Sequence, residues 1–89
     1  MPVVHIPAPL RSLTGGESTV AVSGITLREL ARSLDALHPG LAARLVDGNR
    51  IRSGMAVFVN SAQVSSDLAT KVPEDADIYF APAISGGRG

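Results

Sequence analysis

The sequence predicts an α+β domain, a sheet packed on one amphipathic helix. Two β-rich runs come first, at Val3–Ile6 and 17–22. One helical pattern follows from Thr26 to Leu37. Three further runs come after it, at 55–60, around Val64, and from Ile78 to Ala83. Strands interrupted by a single helix are the mark of that fold class.

The first run, Val3 to Ile6, stops at Pro7 and Pro9 because proline cannot donate to a ladder. Arg11-Ser12-Leu13-Thr14-Gly15-Gly16 is turn material. Glu17-Ser18-Thr19-Val20-Ala21-Val22 alternates polar and apolar, as a strand with one wet face does. The two runs read as a hairpin with a long loop. Ser23-Gly24 breaks the second strand. Thr26 then stands three residues before Glu29, a capping-box spacing. Leu27, Leu30, Ala31, Leu34 and Leu37 repeat at helical spacing, with Arg28, Glu29, Arg32 and Asp35 on the other side. A helix this short is marginal alone, so its leucine stripe must bury against a sheet. His38-Pro39-Gly40 ends it. Leu41–Val46 fits a second short helix, and Asp47-Gly48-Asn49 a turn. Met55–Asn60 reads as a strand, Asn60-Ser61-Ala62-Gln63 as a turn, and Val64 as a brief strand. Leu68 is placed to plug the core from a loop. Lys71 to Asp77 forms a polar turn feeding the last strand.

The chain has 89 residues, enough for one domain with a modest core. It is 45% apolar and only 3% aromatic, so Val, Ile, Leu and Ala must build that core around Phe58, Tyr79 and Phe80. No space for a deep cleft remains beside it, which argues against a self-sufficient enzyme. Eight basic and eight acidic residues cancel, and no Lys/Arg stripe forms. Nucleic-acid binding depends on clustered cations and is not expected. The apolar runs are too short to span a bilayer, and no signal peptide is recognisable at the N-terminus; a cytoplasmic location is expected. Cysteine is absent, which excludes a disulfide framework and a thiol nucleophile.

Side-chain chemistry is sparse. His5 and His38 come from unrelated elements and make poor zinc ligands, so no metal site is expected. Ser65-Ser66-Asp67 sets a hydroxyl near a carboxylate with no base to activate it, and reads as a capped turn. Glu74, Asp75 and Asp77 lack the spacing of a calcium loop. Gly15-Gly16 lacks the Lys-Ser/Thr of a phosphate cradle. No catalytic residue is expected.

The C-terminal stretch carries the remaining signal. Residues 1–84 read as the domain and Ser85-Gly86-Gly87-Arg88-Gly89 as a flexible tail. Fully extended, that tail reaches about 17 Å. Glycine has no Cβ to block a narrow channel or an attack on a terminal carbonyl. The reactive group of such a thread would be its main-chain carboxylate. A carboxylate is a poor electrophile, so a partner enzyme would first have to adenylate it.

These features together resemble the ThiS/MoaD sulfur-carrier family and, within it, the CysO-type carriers of cysteine biosynthesis. The resemblance runs through nearly the whole chain: Leu10-Arg11, Thr14-Gly15-Gly16, Thr26-Leu27, Phe58-Val59-Asn60, the turn Glu74-Asp75-Ala76-Asp77, and the ending Pro82-Ala83-Ile84-Ser85-Gly86-Gly87. It implies a ubiquitin-like β-grasp fold, with four to five strands on one main helix and the first and last strands parallel in the centre. It also implies a mechanism. An E1-like enzyme, using its own ATP and magnesium, adenylates Gly87, while Gly86 gives clearance. A sulfur donor converts the adenylate to a thiocarboxylate, and a downstream biosynthetic enzyme uses the sulfur for cysteine, thiamin, molybdopterin or a secondary metabolite. The carrier itself holds no cofactor.

One departure stands out, for this chain continues with Arg88-Gly89. While Gly87 sits in a peptide bond it has no carboxylate. Cleavage after Gly87, by a JAMM-type metalloprotease as in some related carriers, would release it. Two other readings stay open: Arg88-Gly89 is foreign to the natural chain, or Gly89 is the working end. Two other functions also stay open, a ubiquitin-like modifier joined to lysines and a small subunit inserting its tail into an enzyme such as molybdopterin synthase. Arg11, Phe58 and Phe80 are the candidate partner contacts. Alternation sets Phe58 and Phe80 opposite in register to Val57, Val59 and Tyr79, without saying which set faces the core.

Overall fold

The computed structural model describes residues 1–82. The strands are β1 (Val3–His5), β2 (Thr19–Ala21), β3 (Val46–Asp47), β4 (Arg50–Ile51), β5 (Met55–Val59), β6 (Ala62–Gln63) and β7 (Asp77–Pro82). The helices are α1 (Leu27–Leu37) and α2 (Leu41–Leu45), with a 3-10 helix at Ala8–Thr14. The main sheet runs β2-β1-β7-β5-β6, and β3-β4 forms a separate small hairpin. β1 and β7 pair in parallel, whereas β1-β2, β5-β7 and β5-β6 are antiparallel. This is the β-grasp arrangement expected, with the first and last strands side by side at the centre.

α1 begins as its sequence dictates. The Glu29 N–H donates to Thr26 Oγ1 at 3.2 Å, and Glu29 Oε1 accepts from the Ile25 N–H at 3.0 Å. Two more N–H groups of the first turn, at Leu27 and Arg28, donate to the carbonyls of Thr70 and Leu68. The loop that carries Leu68 therefore caps the helix while Leu68 itself, 2% exposed, plugs the core as anticipated. Leu27, Leu30, Ala31 and Leu34 are buried against the sheet. Leu37 departs from the expected stripe and is 58% exposed. The chain turns at His38–Gly40 before that last turn of helix meets the sheet, and Leu41 of α2 fills the core instead.

The core joins these leucines to Val4, Ile6, Val57 and Ile78, among others. No aromatic ring lies at its centre, contrary to expectation. Tyr79 is 43% exposed, and Phe58 and Phe80 are half-buried at the edges. The space left between α1 and the sheet is about 10 Å³, room for a single water at most.

Four local features differ from the sequence reading. The stretch after β1 is a 3-10 helix rather than plain turn. Pro9 is tolerated in its first turn, where an N–H would have no partner anyway. Thr14 is buried because its Oγ1 lies 3.1 Å from the Arg11 carbonyl and 2.7 Å from that of Glu17. Val46 ends α2 and starts β3, so Asp47-Gly48-Asn49 belongs to a hairpin. The β5-β6 turn is only Asn60-Ser61, with φ of 51° and 73°, as a two-residue primed turn requires. Ala62 and Gln63 thus pair with Val59 and Phe58, and Val64 follows the strand. β7 begins at Asp77, one residue earlier than expected, and Ala83 and Ile84 lie outside the described residues.

Candidate functional site

β7 holds the centre of the sheet and runs toward the end where β1 stops. Its last residue, Pro82, is exposed. β1 pairs with β7 through Asp77–Tyr79 and β5 pairs with it through Ile78–Pro82, so Phe80–Pro82 are paired on the β5 side alone. Gly86, Gly87, Arg88 and Gly89 lie outside the described residues.

The two phenylalanines separate. Val57 pairs with Phe80 and Phe58 pairs with Tyr79. Directly opposed residues share a sheet face, so Phe80 points with Val57 toward the core and packs against it. Phe58 and Tyr79 point to the open face. The grouping of Phe58 with Phe80 is thus corrected: alternation orders side chains within one strand, and only the register between strands relates two strands.

The open face carries a row that crosses all five strands. Thr19, His5, Tyr79, Phe58 and Gln63 lie side by side on β2, β1, β7, β5 and β6. His5 lies flat on Tyr79, with ring centroids 3.8 Å apart and planes 8° from parallel. Its Nε2 is 3.0 Å from Asp77 Oδ1, two residues back on β7. Asp77 is positioned in turn by its own N–H, which donates to Asn60 Oδ1 at 2.9 Å. Between this row and the tail exit the face holds the small pair Ala56 and Ala81. The sequence reading missed this row. Its signal was the aromatic pair Tyr79-Phe80, which alternation splits between two faces.

The other candidates have local duties. Arg11 is exposed on the 3-10 helix, and its Nε donates to the Ile6 carbonyl at 3.1 Å, tying that helix to the end of β1. His38 caps the end of α1 and lies 3.9 Å from Glu17. Ser65 Oγ accepts from the Asp67 N–H, and Asp67 Oδ1 accepts from that of Ala69, which makes 65–69 a capped turn. Asp75 accepts from the Met1 ammonium at 2.5 Å. This hydrogen bond holds the ammonium above its ordinary pKa. Among the described residues, no three His, Asp or Glu side chains gather as a metal site, and no helix is long and apolar enough to cross a membrane.

A central β7 parallel to β1 in a five-stranded mixed sheet, with a single long helix on one face, defines a ubiquitin-like β-grasp domain. The ThiS family model matches residues 4–87, and the chain belongs to that family. It is 34% identical to the sulfur carrier protein CysO of Mycobacterium tuberculosis over 89 residues, covering 94% of this chain and 96% of the relative. Among solved structures, a chain of the BexX/CysO complex of Amycolatopsis orientalis superposes with a TM-score of 0.87 at 34% identity, covering 98% of this chain and all (100%) of that one. Mycobacterium tuberculosis CysO follows with a TM-score of 0.84 at 30% identity, covering 94% of this chain and 100% of that one. Small archaeal modifier protein 1 of Methanosarcina acetivorans, at 21% identity, a TM-score of 0.72 and coverage of 97% and 95%, shares the fold.

Proposed function

We propose that this chain is a sulfur carrier, not itself an enzyme, whose working group is the main-chain carboxylate of Gly87. The observation that carries this reading is the placement of β7. The last strand starts at the centre of the sheet between β1 and β5 and ends exposed at Pro82, five residues before Gly87 in the sequence. The family match supports it, because it ends at residue 87, two residues before the end of the sequence. The names of the CysO relatives support the class of cargo.

The chemistry runs in three steps. Hydrolysis of the Gly87–Arg88 bond, by a JAMM-type metalloprotease, releases Arg88-Gly89 and frees the carboxylate. An E1-like enzyme joins that carboxylate to the α-phosphate of ATP, with pyrophosphate leaving. A sulfide-level donor then attacks the acyl carbon and expels AMP, leaving a thiocarboxylate. A biosynthetic enzyme downstream takes the sulfur. The domain's part is recognition. Phe58 and Tyr79 on the open face are the contacts, and that a CysO relative is found in a complex with BexX supports such docking.

The test is intact mass after incubation with host lysate, ATP and a sulfide source. The expected result is loss of Arg88-Gly89, followed by the mass rise of sulfur replacing oxygen. A variant lacking Gly86-Gly87 should show neither change. A chain that keeps Arg88-Gly89 and yet gains sulfur would overturn the processing step. A trimmed chain that forms no acyl-adenylate would overturn the carrier reading, and an isopeptide ladder in cells would assign the tail to protein modification instead.

A further inference from the structure

Where β7 ends, an apolar groove of about 440 Å³ lies open. Pro7 and Leu10, from the chain that continues β1, form one wall, and Met55 of β5 forms the other. Phe80 and Pro82 lie between them, and no polar side chain lines the groove. Exposed arginines flank it on both sides. Arg11 follows Leu10, and its Nε donates to the Ile6 carbonyl, just before Pro7. Arg50 and Arg52 stand on the Met55 side. They line a second groove, of about 550 Å³, which adjoins the first through Gly54 and Met55.

These arginines have no carboxylate partner. The ion pairs among the described residues are those of Met1, His5 and His38. Asp47 and Asp67 lie near Arg50 without pairing with it, and Asp67 Oδ1 is taken by the Ala69 N–H. Each guanidinium is instead aimed by a bond to a neutral oxygen. Arg50 Nη2 donates to Ser66 Oγ at 3.1 Å, and Arg52 Nη1 donates to the Ala43 carbonyl at 3.3 Å. A guanidinium has several N–H donors, so each keeps most of them for another molecule. The carboxylates Glu74, Asp75 and Asp77 gather at the other end of β7, about 17 Å away along the strand. A chain of zero net charge is thereby polarised along its central strand, positive where β7 ends.

We propose that this end of the domain docks a segment of a partner protein that sets an apolar side chain among carboxylates. Charge complementarity selects the occupant. An apolar centre inside a charged, wet rim is the usual anatomy of a protein interface, and here the rim is cationic on both sides. A basic segment would be repelled, and a wholly apolar one would leave the guanidinium groups unused. The surface is separate from the His5-Tyr79-Phe58 row. The groove lies on the side of the sheet to which Phe80 points, and the row lies on the opposite side. On the carrier reading, a partner that handles the tail would hold the domain on both sides of the strand end. The docking itself does not rest on that reading, and its test involves neither the tail nor sulfur.

The experiment is an NMR titration of the full chain, labelled at the backbone amides, the arginine Nε–H groups and the Ile, Leu and Met methyls. The probe is the end-blocked peptide Glu-Asp-Leu-Phe-Glu-Asp. The expected result is saturating shifts at Met55, Leu10 and the Nε–H groups of Arg50 and Arg52. Ile25, in the groove beside Glu74 at the other end of the domain, should not move. Arg50→Gln combined with Arg52→Gln should weaken binding about tenfold, as loss of two exposed ion pairs does. Molar salt should weaken it as strongly, since the screening length then falls to about 3 Å. An unchanged amide spectrum of the free double variant shows that it keeps the fold. Several results overturn the proposal. One is a Met55 and Leu10 pair that stays unshifted up to the solubility of the peptide. Another is equal binding by Lys-Lys-Leu-Phe-Lys-Lys, which lacks the charge match, or by Glu-Asp-Ser-Gly-Glu-Asp, which lacks the anchor. Affinity indifferent to the double variant and to salt would do the same. So would shifts confined to Phe58 and Tyr79, which put the segment on the open face. Met55 shifts that grow with protein concentration in the absence of peptide make a second copy the occupant instead.

Discussion

Gly24 shows how one residue joins two elements. It precedes α1 at φ 156°, and a Cβ there would come within 2.9 Å of Glu29 Cβ and 3.0 Å of the Leu30 backbone nitrogen. The helix start rests on that bare backbone. Gly24→Ala should cost about 1–3 kcal/mol, the range for overpacking a close contact, read as a lower urea midpoint with an unchanged slope. Glycines 15, 16 and 48 would meet nothing within 4 Å, so space does not explain them and backbone conformation does. In the sequence all four look alike, since a steric need appears only when another element arrives.

At the scale of the element, α1 is the part most fully legible. Its cap, its polar side and four of its five stripe residues follow from spacing alone. Thr26→Ala removes the acceptor of the Glu29 N–H and should cost about 1 kcal/mol, again by urea denaturation. The helix should persist in that variant, because the Leu27 and Arg28 N–H groups remain bonded to the loop at 68–70. That second layer of capping was not visible beforehand. It joins residues some forty positions apart, and no periodicity encodes such a contact. The 3-10 helix was hidden for a related reason. Short runs of proline, small residues and glycine suit several conformations, and the burial of Thr14 between two carbonyls selects one.

Across the whole molecule the sheet presents two unlike surfaces. One is packed on α1 with almost no space left. The other bears the His5-Tyr79-Phe58 row a short distance from the strand end that leads to the tail. Tyr79→Ala removes a ring stacked on His5 but nothing from the core. It should lower stability by no more than about 1 kcal/mol. If the open face docks the activating enzyme, the same change should weaken that complex about 30-fold, as loss of an aromatic anchor does, measured by titration calorimetry. Unchanged affinity would move the contact away from this face.

Composition and periodicity were enough to specify the fold class, the helix and its cap, and the strands of the main sheet to within a residue or two, though not the β3-β4 hairpin. These are local properties, written as patterns along a few consecutive residues. The parting of Phe58 from Phe80, the pairing of Tyr79 with His5 and the apolar groove at the strand exit came only with the folded chain. Each depends on which strand lies beside which and in what register, and that is settled by many distant residues packing at once.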